Sequence, residues 1–154
     1  MSDIEEIEQL VVWERQTRVR GLDKENLATY WPDATVTTSW QSGPVASFNG
    51  KKSVDYQTNL PLVSRTSTPV IHLNSQTGRA YVELPATTKH WLMMGATEVV
   101  LESFRRLVYR VEKRNGEWRI NDMSAINEAD TLTPCIPGTD LNIDIQKAKS
   151  LRPS

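Results

Sequence analysis

RAYVELPATTKHWLMMGATEVVLESFRRLVYRVEKRNGEWRI, residues 79–120, decides the fold. It is rich in Val, Leu, Thr and Tyr and is cut at Met94-Gly95-Ala96 and at Asn115-Gly116. An Asn-Gly pair between extended runs signals a two-residue hairpin, because both turn positions take positive φ. Thr77-Gly78 makes a similar break just upstream. The spacing predicts extended segments over residues 70–76, 79–94 and 97–114, and a fourth from 117 to about 128. Strands of about 15 residues far exceed the usual five or six, so they must twist and curl.

Upstream the period changes. Ile4, Ile7, Leu10, Val11, Val12 and Trp13 recur at near-helical spacing, with Glu5, Glu6, Glu8 and Gln9 on the other face, which predicts a helix over residues 3–20. Its acids lie early and Arg15, Arg18 and Arg20 lie late, complementing the helix dipole, and Gly21 stops it. A second helix is predicted over residues 23–30, with Asp23 as its N-cap, ending before Pro32. The sequence then reads as a strand over 34–40, a turn at Gln41-Ser42-Gly43-Pro44, a short strand over 46–48, and weaker helical character over 51–60. Helices followed by antiparallel hairpins define an α+β domain. The expected architecture is a cone: a strongly curved antiparallel or mixed sheet whose N-terminal helices cover an apolar pocket, lined in part by the five tryptophans. One domain spans residues 1–137. Residues 138–154 form an arm on the body or on a neighbouring subunit, anchored by residues such as Leu141 and Ile143.

Composition bounds the function. The chain has 154 residues, with 18 Lys and Arg against 19 Asp and Glu. That balance argues against nucleic acid as a partner, since phosphate binding needs a basic excess. No apolar run reaches membrane-span length and the first ten residues are acidic, so no membrane partner and a cytoplasmic location are expected. The single cysteine, Cys135, and the two histidines, His72 and His90, offer no metal-ligand spacing. Glycine-rich phosphate loops and serine-nucleophile motifs are absent, so no cofactor is expected and any chemistry is proton transfer. Arg105-Arg106 and residues 110–114 read as a solvated or subunit-facing surface.

Four stretches carry a family resemblance: RGLDKENLATYWPDATVTTSW (residues 20–40), VIHLNSQTGRAYVE (70–83), RLVYRVEKRNGEWRI (106–120) and AINEADTLTP (125–134). Together they resemble the nuclear transport factor 2-like superfamily, and within it the SnoaL-like group, in the branch of scytalone dehydratase and hexachlorocyclohexane dehydrochlorinase. That resemblance implies an acid–base dyad inside the cone, carried here by Asp23 and His72. A carboxylate on one ring nitrogen fixes the imidazole tautomer while the other nitrogen takes a proton. It also implies pocket-lining roles for Tyr30, Trp40, Val70 and Asn127, and homo-oligomers, dimeric or larger. The spacing of His90 from His72 does not match the second histidine of the dehydratase type.

Alternatives stay open on the residues themselves. Asp23 reads equally as a helix cap. His72 reads equally as a structural histidine, although alternation puts it on one face with Val70 and Asn74 and leaves Ile71 and Leu73 on the other. The functional expectation is therefore a cofactor-free lyase or isomerase for a hydrophobic, cyclic small molecule, and its rival is a non-catalytic protein that binds such a ligand.

Overall fold

The computed structural model describes residues 1–38, 41–48 and 60–136. Residues 51–59 of the helical expectation over 51–60, Trp40 and the 138–154 arm lie outside the described residues. Helix α1 spans Asp3–Val19 and opens on Ser2, whose hydroxyl accepts from the Glu5 amide at 3.2 Å. It ends at Gly21, in the left-handed conformation at φ 70°. Helix α2 is shorter than expected, Asp23–Leu27.

Among the described residues seven strands follow: β1 Tyr30–Thr37, β2 Ser42–Pro44, β3 Leu62–Thr66, β4 Val70–Asn74, β5 Arg79–Met94, β6 Thr97–Arg114 and β7 Glu117–Pro134. The three long strands and their turns fall where the hairpin signals put them. Asn115 and Gly116 take φ of 52° and 81° at the β6–β7 turn. Elsewhere local signals misled. β1 begins at Tyr30, β2 occupies the residues read as a turn, and Val45–Phe48 is a 3-10 turn rather than a strand. β3, five residues long, is too short to show a period in the sequence.

The strands form one mixed sheet in the order β2-β1-β7-β6-β5-β3, with β4 also paired to β5. Among the described strands, only β1 and β7 run parallel. β4 pairs with β5 residues 79–83 and β3 with residues 86–90. Pro85 falls between those two ladders, where its missing N–H breaks no rung, and its carbonyl accepts from the Ser67 amide at 3.0 Å. The sheet is curved but open, its end strands β2 and β3 not joined to each other. The strong curl expected of a cone is not present. Two short strands share one edge of β5, and two bulges in the β6–β7 ladder take up twist locally.

Alternation is regular along β5, where even-numbered residues from Ala80 to Leu92 are buried, and along β6, where odd-numbered residues from Val99 to Val111 are. These two sets define the inner face. At its turn end, Val82, Leu84, Leu107, Tyr109, Ile120 and Met123 pack with Ile7 and Val11 of α1 and with Tyr30 and Val36 of β1. A second, smaller apolar cluster of Leu92, Val99 and Leu101 lies toward the other end of the same strands.

Helix α1 meets the sheet through more than its apolar stripe. Its buried positions run from Ile7 and Val11 into Glu14, Arg15 and Thr17, whereas Ile4 and Trp13 stay exposed. The fully buried Glu14 carboxylate accepts from the Tyr30 hydroxyl at 2.9 Å and from the Tyr109 hydroxyl at 3.4 Å, and lies 3.5 Å from Arg18 Nε. The Asn26 amide of α2 donates to the Glu14 carbonyl at 2.9 Å. Burial, reinforced by the Glu14 charge, pushes both tyrosines well above their ordinary pKa, so they remain donors. Burial opposes the Arg18 charge, but Glu14 and Tyr30 outweigh it and its pKa rises. Breaking such a pair strands the other charge. Glu14→Ala is expected to destabilise the fold by about 3–5 kcal/mol in urea unfolding, against less than about 0.5 kcal/mol for the exposed Asp23→Ala.

Candidate functional site

Between the two apolar clusters the inner face turns polar. Ser64 of β3 pairs across to Thr88 of β5, Thr88 to Ser103 of β6, and Ser103 to Asp130 of β7, which makes one row across four strands. Residues directly opposite on one face lie about 4.5–5.5 Å apart at Cβ, so these side chains are neighbours. Ser103 donates to Asp130 Oδ1 at 2.8 Å. Next to this row, toward the larger core, stand Arg105 and Asn127, paired with each other across β6 and β7. On the other side stands His90.

Helix α1 closes over this belt with Arg15, only 1% exposed. Its Nε donates to Ser64 Oγ at 3.2 Å and its Nη2 to Thr88 Oγ1 at 2.6 Å. Burial works against the charge on this guanidinium and lowers its pKa. Arg105 is 2% exposed and His90 3%. Burial also lowers the His90 pKa, leaving a neutral imidazole near pH 7. The belt is therefore rich in donors, with one half-buried carboxylate, Asp130, accepting from Ser103 and from the Asn127 amide at 3.2 Å.

The residues singled out in sequence scatter differently. Asp23 is exposed in the first turn of α2, and Leu22, not Asp23, occupies the cap position, with no side-chain hydrogen bond. His72 is exposed on β4 beside Tyr81. No hydrogen bond or ion pair joins Asp23 to His72, and neither is in the enclosed setting that a steered imidazole needs. Alternation grouped Val70, His72 and Asn74 correctly, but their shared face is the solvent side, and Val70 is 51% exposed. Ile71 and Leu73 face the core instead. Tyr30 is buried, but its hydroxyl belongs to the Glu14 cluster. Asn127 alone of the described candidates lies on the belt. Two of the described tryptophans are engaged elsewhere: Trp118 donates to Asp3, and Trp31 lies beneath the guanidinium groups of Arg114 and Arg119.

Reading Arg105 as a surface residue was wrong. It occupies an inner position of β6, in step with Leu101, Leu107 and Tyr109. The signal that could have found it is that same alternation, an apolar face interrupted at Ser103 and Arg105. Arg15 had no comparable signal, because a late arginine in a helix already fits the dipole.

Among the described residues no group of three or more His, Cys, Asp or Glu side chains is placed to hold a metal ion. No described helix is long and apolar enough to cross a membrane.

The arrangement of helices and sheet is that of the nuclear transport factor 2-like fold. No protein-family profile and no curated protein sequence matches the chain. Solved structures do. LinA superposes with a TM-score of 0.67 at 12% identity, covering 91% of this chain and 93% of that one. A candidate scytalone dehydratase from Novosphingobium aromaticivorans gives 0.64 at 14% identity, covering 90% and 95%. A protein from Cytophaga hutchinsonii described as NTF2-like gives 0.61 at 10% identity, covering 83% and 100%. Identities this low establish the shared fold and no more.

The pH dependence of stability tests the state of His90. Its imidazole holds a pKa below the ordinary 6.5, so the folded chain binds fewer protons than the unfolded one as the pH falls through that value. Its stabilising contribution is complete above that pH and is lost progressively below it. Unfolding free energy measured between about pH 7 and pH 5 is expected to fall with a slope that His90→Gln reduces, and an unchanged slope contradicts a neutral buried imidazole.

Proposed function

We propose that the chain binds a small, largely hydrophobic cyclic molecule against the inner face of the sheet and acts on it as a cofactor-independent lyase or isomerase. His90, in place of the Asp23–His72 pair, serves as the proton acceptor. The observation that carries this reading is the polar belt itself. His90, Thr88, Ser103, Arg105 and Arg15 are buried where apolar side chains would join two hydrophobic clusters into one core. Burying polar groups costs stability unless they are satisfied, and folds hold such groups in the core mainly where function needs them.

The chemistry follows from the donor set. A neutral imidazole with a lowered pKa can take a proton from a carbon flanked by a carbonyl or a leaving group. The Arg15 guanidinium, aimed by Ser64 and Thr88, supplies a positive donor for the oxygen or halide that gathers charge as that proton leaves. In a water-poor site both interactions strengthen. The electron pair released from the broken C–H bond either expels hydroxide or halide, giving an alkene, or shifts to a neighbouring carbon that is then reprotonated. Structural neighbours described as a candidate scytalone dehydratase and as a hexachlorocyclohexane dehydrochlorinase (LinA) agree with the first outcome.

A homo-oligomer is part of the same reading. It is supported by Phe104 and Ile126, large apolar side chains exposed on the outer face of β6 and β7, and sedimentation of the purified chain as a monomer would refute it.

A panel of cyclic β-hydroxyketones and chlorocyclohexanes, followed by loss of water or chloride, tests the activity. His90→Gln is expected to lower turnover of any accepted compound by about 10²–10⁴-fold, the usual worth of a general base, while binding persists. Equal turnover in the variant removes His90 from the mechanism. Binding without turnover across the panel favours the non-catalytic ligand-binding reading.

A further inference from the structure

Helix α1 carries a groove on its solvent-facing side that the proposed reaction does not use. Glu5, Glu8, Gln9, Val12, Trp13 and Gln16 line it, and it measures about 620 Å³. These positions recur at spacings of three and four residues, so they share one face, away from the Ile7, Val11 and Glu14 stripe that meets the sheet. Its floor is apolar, with Val12 half-buried and Trp13 44% exposed. A lone exposed tryptophan needs no explanation. Trp13, however, also borders an adjoining concavity of about 370 Å³ with Leu10 and Trp118, so the apolar surface continues toward the start of β7.

Charge of opposite sign stands at the two ends of this groove. Glu5 and Glu8 are exposed at its N-terminal end. Arg20, four residues beyond Gln16 and so on the same face, is exposed at the other. Other charges nearby pair with one another: Arg18 lies 3.5 Å from Glu14, and Lys113 lies 3.2 Å from Asp3. Glu5, Glu8 and Arg20 make no ion pair among the described residues.

The chain's own C-terminal arm matches this surface in reach, order and charge. β7 ends beside the start of β6, where the Cys135 amide donates to the Glu98 carbonyl at 3.0 Å. The C-terminal half of α1 lies over β3, with Gln16 donating to the Ser64 carbonyl at 3.5 Å. From Pro134 to Ser64 is three strands across and four residues along, roughly 20 Å. An extended chain covers about 3.3 Å per residue, so residues 135–143 reach the helix with slack. Beyond them the sequence offers Asp144 and Ile145, then Lys147, Lys149, Leu151 and Arg152. Acid therefore precedes base, the order met by a segment that enters at Arg20 and runs antiparallel to α1. The lengths agree as well: Arg20 to Glu5 is about 22 Å along the helix, and residues 144–152 extend about 26 Å.

We propose that residues 144–152 dock in this groove on α1 of the same molecule. Asp144 meets Arg20, Lys147 and Lys149 meet Glu8 and Glu5, and Ile145 and Leu151 cover Val12 and Trp13. A lysine ammonium beside the Trp13 ring adds a cation–π contact. The arm then braces the helix that carries Arg15 into the belt, and this contact holds whatever reaction the inner face performs.

The test is paramagnetic broadening in heteronuclear NMR of the full chain. Cys135 is the single cysteine and is exposed, so Cys135→Ser with Ser150→Cys places one nitroxide on the arm. Docking predicts loss of the Trp13 indole N–H signal and of the Glu5, Glu8 and Gln9 amide signals, while those of Thr35 and Asp122, across the sheet, persist. Lys147→Glu with Lys149→Glu touches no described helix or strand and is expected to restore the Trp13 signal. Adding Glu5→Lys and Glu8→Lys to that variant is expected to bring the loss back, since opposite charges face each other again. A Trp13 signal retained in the labelled chain overturns the proposal, as does a loss that the arm reversal leaves in place. Loss that appears only when nitroxide and isotope are on different copies also overturns it, because the arm then docks on a neighbour.

Discussion

A single buried carboxylate sets the geometry of this protein. Glu14 lies under α1 and is gripped by Tyr30 of β1 and Tyr109 of β6, while Arg18, one helical turn further on, balances its charge. These partners come from the two strands that flank β7, and they fix the rotation of the helix as well as its position. Successive residues of a helix differ by about 100° in direction, so a helix locked at Glu14 has no freedom left at Arg15. That residue is delivered to Ser64 and Thr88 on the far edge. The clamp and the belt are thus one device, in which a structural ion pair aims the neighbouring guanidinium into the site.

The belt divides what would otherwise be a continuous core. On its turn side the inner face is filled with Val, Leu, Ile, Met and Tyr, and on its other side a small cluster of Leu92, Val99 and Leu101 resumes the apolar pattern. A chain selected for stability alone would favour apolar residues at positions 88, 90, 103 and 105, since a buried charge seldom outperforms a well-packed hydrophobe of the same size. Thr88 and Ser103 are direct cross-strand partners, and His90 and Arg105 stand diagonally beside that pair, so the four form a single surface rather than isolated exceptions. That surface is what the proposed acid–base chemistry requires: donors around one neutral imidazole, shielded from bulk water.

The fold was largely legible because its determinants are local. Turn signals at Thr77-Gly78 and Asn115-Gly116, together with unbroken extended composition between them, fix the starts of the long strands, although the first turn takes four residues, 75–78, and β4 stops at Asn74 rather than at residue 76. β3 escaped because five residues carry no period, and α2 was over-extended because Tyr30, read as a helix end, pairs with Ile120 as a strand start. The site was much less legible. Asp23 and His72 stood out by residue type and resemblance, yet face is set by register, and the register of β4 turns His72 outward. Arg105 shows the converse: adjacent to Arg106 it looks like surface charge, and only its parity within β6 reveals it as interior. Arg15 depends on a contact with residues 49 and 73 positions away, which no local pattern encodes.

The most direct measurement of the central claim is the unfolding free energy of a triple variant, Arg15→Met with Ser64→Ala and Thr88→Val, which replaces the heart of the belt with side chains of similar shape and no polarity. If the belt is held for a ligand at the expense of stability, the variant unfolds at higher denaturant, by about 1–4 kcal/mol, as other buried charge-to-apolar replacements do. A variant less stable than the native chain by a similar margin would make the belt a structural necessity, and the inner face would lose its standing as the site.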